Sequence, residues 1–240
     1  MKLRLRTLYI IVLLLILLST VIVMISSFSN ITAHTLADVS VVVPKIIIDA
    51  GHGGEDGGAV VDDVLEKDIN LSIAMKLADI LRLSGYPVAE VRQSDAAVYS
   101  GDADTLREKK VSDLNNRVTM FNADEHNIVI SIHQNKFDSS KYSGTQLFYS
   151  VNHPDSRVLA EYIHKAVVML LQQDNTRELK KGNADIFVLD KTVVPAVIVE
   201  CGFLSNDAER AKLTDEGYQK QLAYAIAMGI LDYCRCEAES

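Results

Sequence analysis

Four residues carry the chemistry open to this chain, and three of them follow short apolar runs. His52 lies in KIIIDAGHGG, His133 in NIVISIHQN and Glu200 in PAVIVECGFLSN. The fourth, Glu66, opens EKDINLSIAMKLADILRLSG, whose apolar period is helical. Ligands of open α/β sheets bind outside the carboxyl ends of the strands, so side chains just past apolar runs can converge there. Two neutral imidazoles and one carboxylate are the ligand set of a catalytic zinc, with a position left for water. A second carboxylate nearby can then move protons.

Each residue also has a plainer reading. His52 has Gly51, Gly53, Gly57 and Gly58 around it. A phosphate loop fails, because Asp56 stands where the third glycine of G-x-G-x-x-G belongs and no Gly-Lys-Ser/Thr follows. Glu55 and Asp56 would also repel phosphate. His52 is therefore a metal ligand or a hydrogen-bonded structural histidine. Glu66 at a helix start could simply complement the helix dipole, worth about 0.3–1 kcal/mol. His133 is followed by Gln134 and Asn135, and Asn135 would position a ligand or a substrate amide. Glu200 ends an almost wholly apolar run, where a carboxylate is costly unless paired or bound to metal. Its alternative is an ion pair with Arg92 or Arg117. His34 falls in a linker, and His126, His153 and His164 read as surface or helix positions.

The elements that must position these residues alternate. Lys45–Asp49, Tyr86–Arg92, Asn127–His133, Thr145–Ser150, Ile186–Leu189 and Ala196–Glu200 read as strands. Helices are expected from about Glu66 to Ser84, with Gly85 as the stop, over 156–173, and from about 215 to 233. Leu114, Val118 and Phe121 suggest a short helix behind Ser112 as N-cap. Residues 93–111 read as an extended loop, and 174–183 as a polar loop on the substrate side. The pattern predicts a single α/β domain, with a mostly parallel, twisted sheet and helices on both faces.

Apolar residues make up 48% of the 240, enough for one sizeable core. Net charge is −8; the first 33 residues hold Lys2, Arg4 and Arg6 and no acid, which leaves −11 on the remainder. An acidic domain repels phosphates, which argues against a nucleic-acid partner. Residues 1–33 read as a membrane-directing apolar helix, a signal anchor or a signal peptide cleaved near Ala33 or Ala37. Either way the rest is exported, because the basic end stays inside. The expected organisation is this segment, a linker over 34–44, a catalytic domain over 45–233 and a tail over 234–240. Three cysteines, Cys201, Cys234 and Cys236, form no disulfide framework.

Taken together and in order, DAGHGGEDGGA, EKDINL, SIHQN and VECGFLSN resemble the zinc-dependent N-acetylmuramoyl-L-alanine amidases of the bacterial cell wall. The resemblance covers about residues 45–233. It implies that His52, Glu66 and His133 hold one zinc and that Glu200 is the catalytic acid/base. It also implies a sheet of about six strands flanked by helices, with Arg92, Asp95 and Arg117 matching further family positions. The implied substrate is peptidoglycan, glycan strand and stem peptide together. An activating partner protein is left open. Within the family the chain is most similar to short, membrane-directed enzymes of spore-forming bacteria that act on spore cortex. Lys136 departs from the family, which has a small residue after Asn135. The alternatives are a zinc peptidase on stem peptides and a non-catalytic, membrane-tethered wall-binding protein.

Overall fold

The structure, a computed structural model, describes residues 14–25 and 43–238. Residues 14–25 are helical (α1) and expose a run of leucines, isoleucines and valines. Among the described residues no helix is long and apolar enough to cross a membrane. The basic start, both cleavage candidates, His34 and most of the linker lie outside the described residues.

From residue 43 onward the chain is one compact unit. Its strands are β1 (Lys45–Ala50), β2 (Val60–Val61), β3 (Val64–Leu65), β4 (Val88–Glu90), β5 (Asn127–Asn135), β6 (Gln146–Tyr149), β7 (Lys180–Lys181) and β8 (Ala196–Phe203). Its helices are α2 (Glu66–Leu83), α3 (Leu106–Phe121), α4 (Asp155–Leu170), α5 (Phe187–Lys191), α6 (Asp207–Leu213) and α7 (Glu216–Ala238). The main sheet has six strands in the order β4-β1-β5-β8-β6-β7. The first four are parallel, and β6 runs antiparallel to β8. The expected mostly parallel sheet with helices on both faces is what the chain forms.

Its strands are apolar throughout because both faces are covered. Ile46 and Ile48 of β1, Ile128, Ile130 and Ile132 of β5, and Val197 and Val199 of β8 pack into one core with α2, α4 and α7. The alternate residues Ile47, Val129 and Ile198 pack into a second core with Phe121 of α3 and Val188 and Leu189 of α5. Continuing that period of two along each strand carries Asp49, His133 and Glu200 onto the side of the second core.

Three expectations change. The loop expected over 93–111 gives way to α3 six residues before Ser112, at Leu106. Thr105 and Glu108 form a reciprocal capping box there, with Thr105 accepting from the Glu108 N–H and Glu108 accepting from the Thr105 N–H. Ile186–Leu189 is not a strand: Phe187–Lys191 form the short helix α5, because a run of four apolar residues has no period long enough to separate the two. The polar loop 174–183 donates Lys180 and Lys181 to the sheet edge beside β6. Gly85 ends α2 as expected, at φ +90°.

Candidate metal centre and active site

His52 follows the carboxyl end of β1 in a loop that turns sharply. It holds φ +62°, a left-handed conformation that side chains rarely adopt. Two buried arginines hold that backbone. Arg92 donates to the carbonyls of Ala50 (2.9 Å) and Gly51 (3.0 Å) and to that of Lys67 (2.8 Å). Arg117 donates to the carbonyls of Ala50 (3.1 Å) and His52 (2.8 Å), to Asp113 (2.6 Å) and, in a very short contact, to Asp49. Asp49 also accepts from Ser131 Oγ at 2.6 Å, and its carboxyl is held below the usual range despite its burial. Asp95 accepts from the Gly54 N–H (2.8 Å) and from Lys67 (2.7 Å), pinning the far side of the loop.

Glu66 opens α2 with its carboxylate turned inward, 4% exposed. Its Oε1 lies 3.3 Å from His52 Nε2 and 3.0 Å from His133 Nδ1. The donor atoms of these three residues fall within 4.8 Å of one another. Glu66 Oε1 also accepts from the Gln134 N–H (3.0 Å) and Asn70 Nδ2 (3.2 Å), and Oε2 from the Ala59 N–H (2.8 Å). Asn70 donates to the Gly51 carbonyl as well and accepts from Gln134 Nε2, both at 3.1 Å. His52 turns its other nitrogen to Asp56, 3.0 Å away. A histidine held on one nitrogen by a carboxylate is the usual second-layer arrangement around a metal ligand.

Two glycines make room for this packing. A Cβ on Gly51 would lie 2.2 Å from the His133 ring, and one on Gly58 2.6 Å from Glu66 Oε2. Gly58 also holds φ +68°.

Burial pulls the His52 pKa down, but Asp56 and Glu66 outweigh it and raise it to about 9. Burial pushes Glu66 up, but His133 and His52 hold it well below the usual carboxylate range. The cluster is thus an anionic nest for a positive charge.

Glu200 lies beside His133 in register on the neighbouring parallel strand. Its Oε2 is buried with no hydrogen-bond partner. Burial, with the nearby charge of Glu66, raises its pKa to about 7. The ion pair with Arg92 or Arg117 does not form: Arg92 is engaged by backbone carbonyls, and Arg117 by Asp49, Asp113 and the carbonyls of Ala50 and His52. A buried carboxylate oxygen with no partner is rare and calls for a functional reason.

Of the other expected residues, Lys136 donates its ammonium to the Val60 carbonyl, 2.9 Å away on the β2–β3 hairpin. His126, His153 and His164 stand outside the cluster. Cys201 and Cys234 are buried and form no disulfide among the described residues. Asn70 and Gln134 escaped sequence reading. The signal for Asn70 was its position four residues after Glu66, one turn on along the same helix face.

A mostly parallel α/β sheet with a His–Glu–His cluster that could hold a metal ion, and a lone carboxylate beside it, is the arrangement a metal-dependent hydrolase needs. Residues 46–232 match the family described as N-acetylmuramoyl-L-alanine amidase. The germination-specific N-acetylmuramoyl-L-alanine amidase of Bacillus subtilis (strain 168) is 36% identical over 188 residues, 78% of this chain and 78% of that protein. The CwlD amidase from Clostridioides difficile, solved in complex with the GerS lipoprotein, superposes with a TM-score of 0.77 at 40% identity. That match covers 80% of this chain and 99% of that one. A second amidase, from Clostridium difficile 630, gives a TM-score of 0.67 at 30% identity, over 80% and 96% of the two chains. The chain belongs to the N-acetylmuramoyl-L-alanine amidase family.

Proposed function

We propose that this chain uses one zinc, held by His52, Glu66 and His133, to hydrolyse the amide between the lactyl group of N-acetylmuramic acid and L-alanine in peptidoglycan. The observation that carries the reading is the convergence of three donor atoms beside the unpartnered Oε2 of Glu200. The donors fit the metal, since two imidazoles and a carboxylate are a catalytic zinc set. When bound, zinc polarises the scissile carbonyl and lowers the pKa of water to about 7. Glu200 accepts the proton of the attacking water on Oε2 and delivers it to the leaving amine nitrogen of alanine. Asn70, Gln134 and Asp56 fix the ligands, and Arg92 and Arg117 fix the loop that carries His52. Gln134 and Asn70 leave the second oxygen of Glu66 free to hold the Ala59 amide.

The site of action is extracytoplasmic, at the cell wall, with residues 1–33 directing export as an anchor or signal and 45–233 as the catalytic domain. Likeness to a germination-specific amidase supports the spore cortex as the substrate. Likeness to a relative solved with a lipoprotein supports a partner protein for this chain too. The test is mass spectrometry of peptidoglycan fragments after digestion, with and without chelator. New alanine amino termini that need metal are the expected product. Cuts inside the stem peptide would make the chain a peptidase, and an absence of cuts would make it a wall-binding protein.

A further inference from the structure

The cleft onto which His52, His133 and Glu200 open, about 470 Å³ in volume, is also lined by residues of α3 and by residues 185–188. Beyond the cluster its walls include Tyr99, Leu106, Leu114, Phe148, Ile186 and Phe187. Most charges on the lining are already satisfied. Asp49 and Asp113 pair with Arg117, Asp56 with His52, and Glu55 with Lys109. Asp185 is exposed and accepts from Asn183. Lys110 is different: it is exposed and forms no ion pair among the described residues. It lines the cleft from α3, one turn from both Leu106 and Leu114 on the same helix face.

We propose that this extension of the cleft seats the stem peptide, and that Lys110 makes it select a peptide with a free carboxylate on the residue after the scissile alanine. The inference rests on the amidase reading of the site. Pockets of about 300–1,000 Å³ take small molecules, so a few amino-acid residues fit while a glycan polymer has to run outside. Sugar hydroxyls need polar partners, which a wall of leucine, isoleucine and phenylalanine does not offer; alanine methyl groups suit it. The residue after L-alanine in stem peptides is acidic. A carboxylate drawn against that wall is costly without a cation, and Lys110 can lay its stem along Leu106 and Leu114 with the ammonium toward it.

The test uses the full chain loaded with zinc and two synthetic muramoyl dipeptides, alike except that the carboxylate in question is free in one and amidated in the other. The wild-type chain should favour the free acid by about five- to tenfold in kcat/KM, carried by KM, between the worth of an exposed ion pair and that of a buried charged hydrogen bond. Lys110→Gln should bring that ratio close to one, and Lys110→Glu below one. High salt should shrink the wild-type ratio. A wild-type ratio near one, or a ratio that survives both substitutions, overturns the role of Lys110. If the wild-type chain cleaves neither compound at the muramoyl–alanine bond while bound zinc is present, the amidase reading falls and takes this inference with it.

Discussion

Replacing Glu200 with glutamine separates chemistry, metal binding and stability in a single variant. The side chain keeps its shape, so His133 on the adjacent strand and the ligand cluster keep their packing. Glutamine cannot take a proton from water, and general acid–base catalysis contributes about 10²–10⁴-fold, so turnover should fall by at least that order while zinc stays bound. Stability should move the other way. In the metal-free chain burial raises the Glu200 pKa from 4.5 to about 7. A carboxyl whose folded pKa is raised adds its stabilisation below pH 4.5 and loses it as pH climbs through 7. At about 1.4 kcal/mol per pH unit the ionised group costs up to ~3 kcal/mol above pH 8. Metal-free Glu200→Gln should therefore match the wild-type chain near pH 4.5 and outlast it at pH 8. Denaturant melts of both chains at the two pH values read the stability, and metal analysis with rates on the same preparations reads the rest. Loss of zinc together with activity would make Glu200 a ligand and Glu66 the base. A stability gap that does not change with pH would refute the burial argument.

His133→Ala should lose zinc and activity but keep the fold, because Glu66 retains Asn70, Gln134 and Ala59 as partners; circular dichroism beside metal analysis checks this. Asn70→Leu removes the donor shared by Glu66 and the Gly51 carbonyl, and zinc affinity measured against a chelating dye should fall about 10–100-fold. Because His52 in the metal-free chain holds its proton up to a pH of about 9, zinc must displace it. Apparent affinity should rise about tenfold per pH unit below that value, and a flat titration would count against His52 as a ligand.

The sheet was readable because its strands are buried on both faces, so Ile46–Ile48 and Val197–Val199 stand out as unbroken apolar runs. His52, His133 and Glu200 were readable for the same reason: polar groups just past such runs have few structural uses. Glu66, at the start of a helix, stood out only through the resemblance carried by EKDINL. Residue types alone left open which carboxylate would bind and which stay free; only the resemblance assigned Glu66 and Glu200. Glu66 turned inward at the start of α2 and Glu200 left without a partner support that assignment, and both follow from packing across elements distant in the chain. The ion pair of Glu200 with Arg92 or Arg117 stayed open as an alternative, since a backbone carbonyl leaves no mark in sequence as a partner of an arginine. The start of α3 was missed because Thr105 and Glu108 sit in a charged stretch without apolar period. Only the spacing of the capping box marked it.

Arg92 and Arg117 grip three successive carbonyls, from Ala50 to His52, with groups that are all protein. The bend of the loop that carries His52 is therefore set by contacts within the chain itself. If the proposed zinc binds there, it would meet a socket already formed, so the zinc-depleted chain should keep its fold and regain activity when metal is added back.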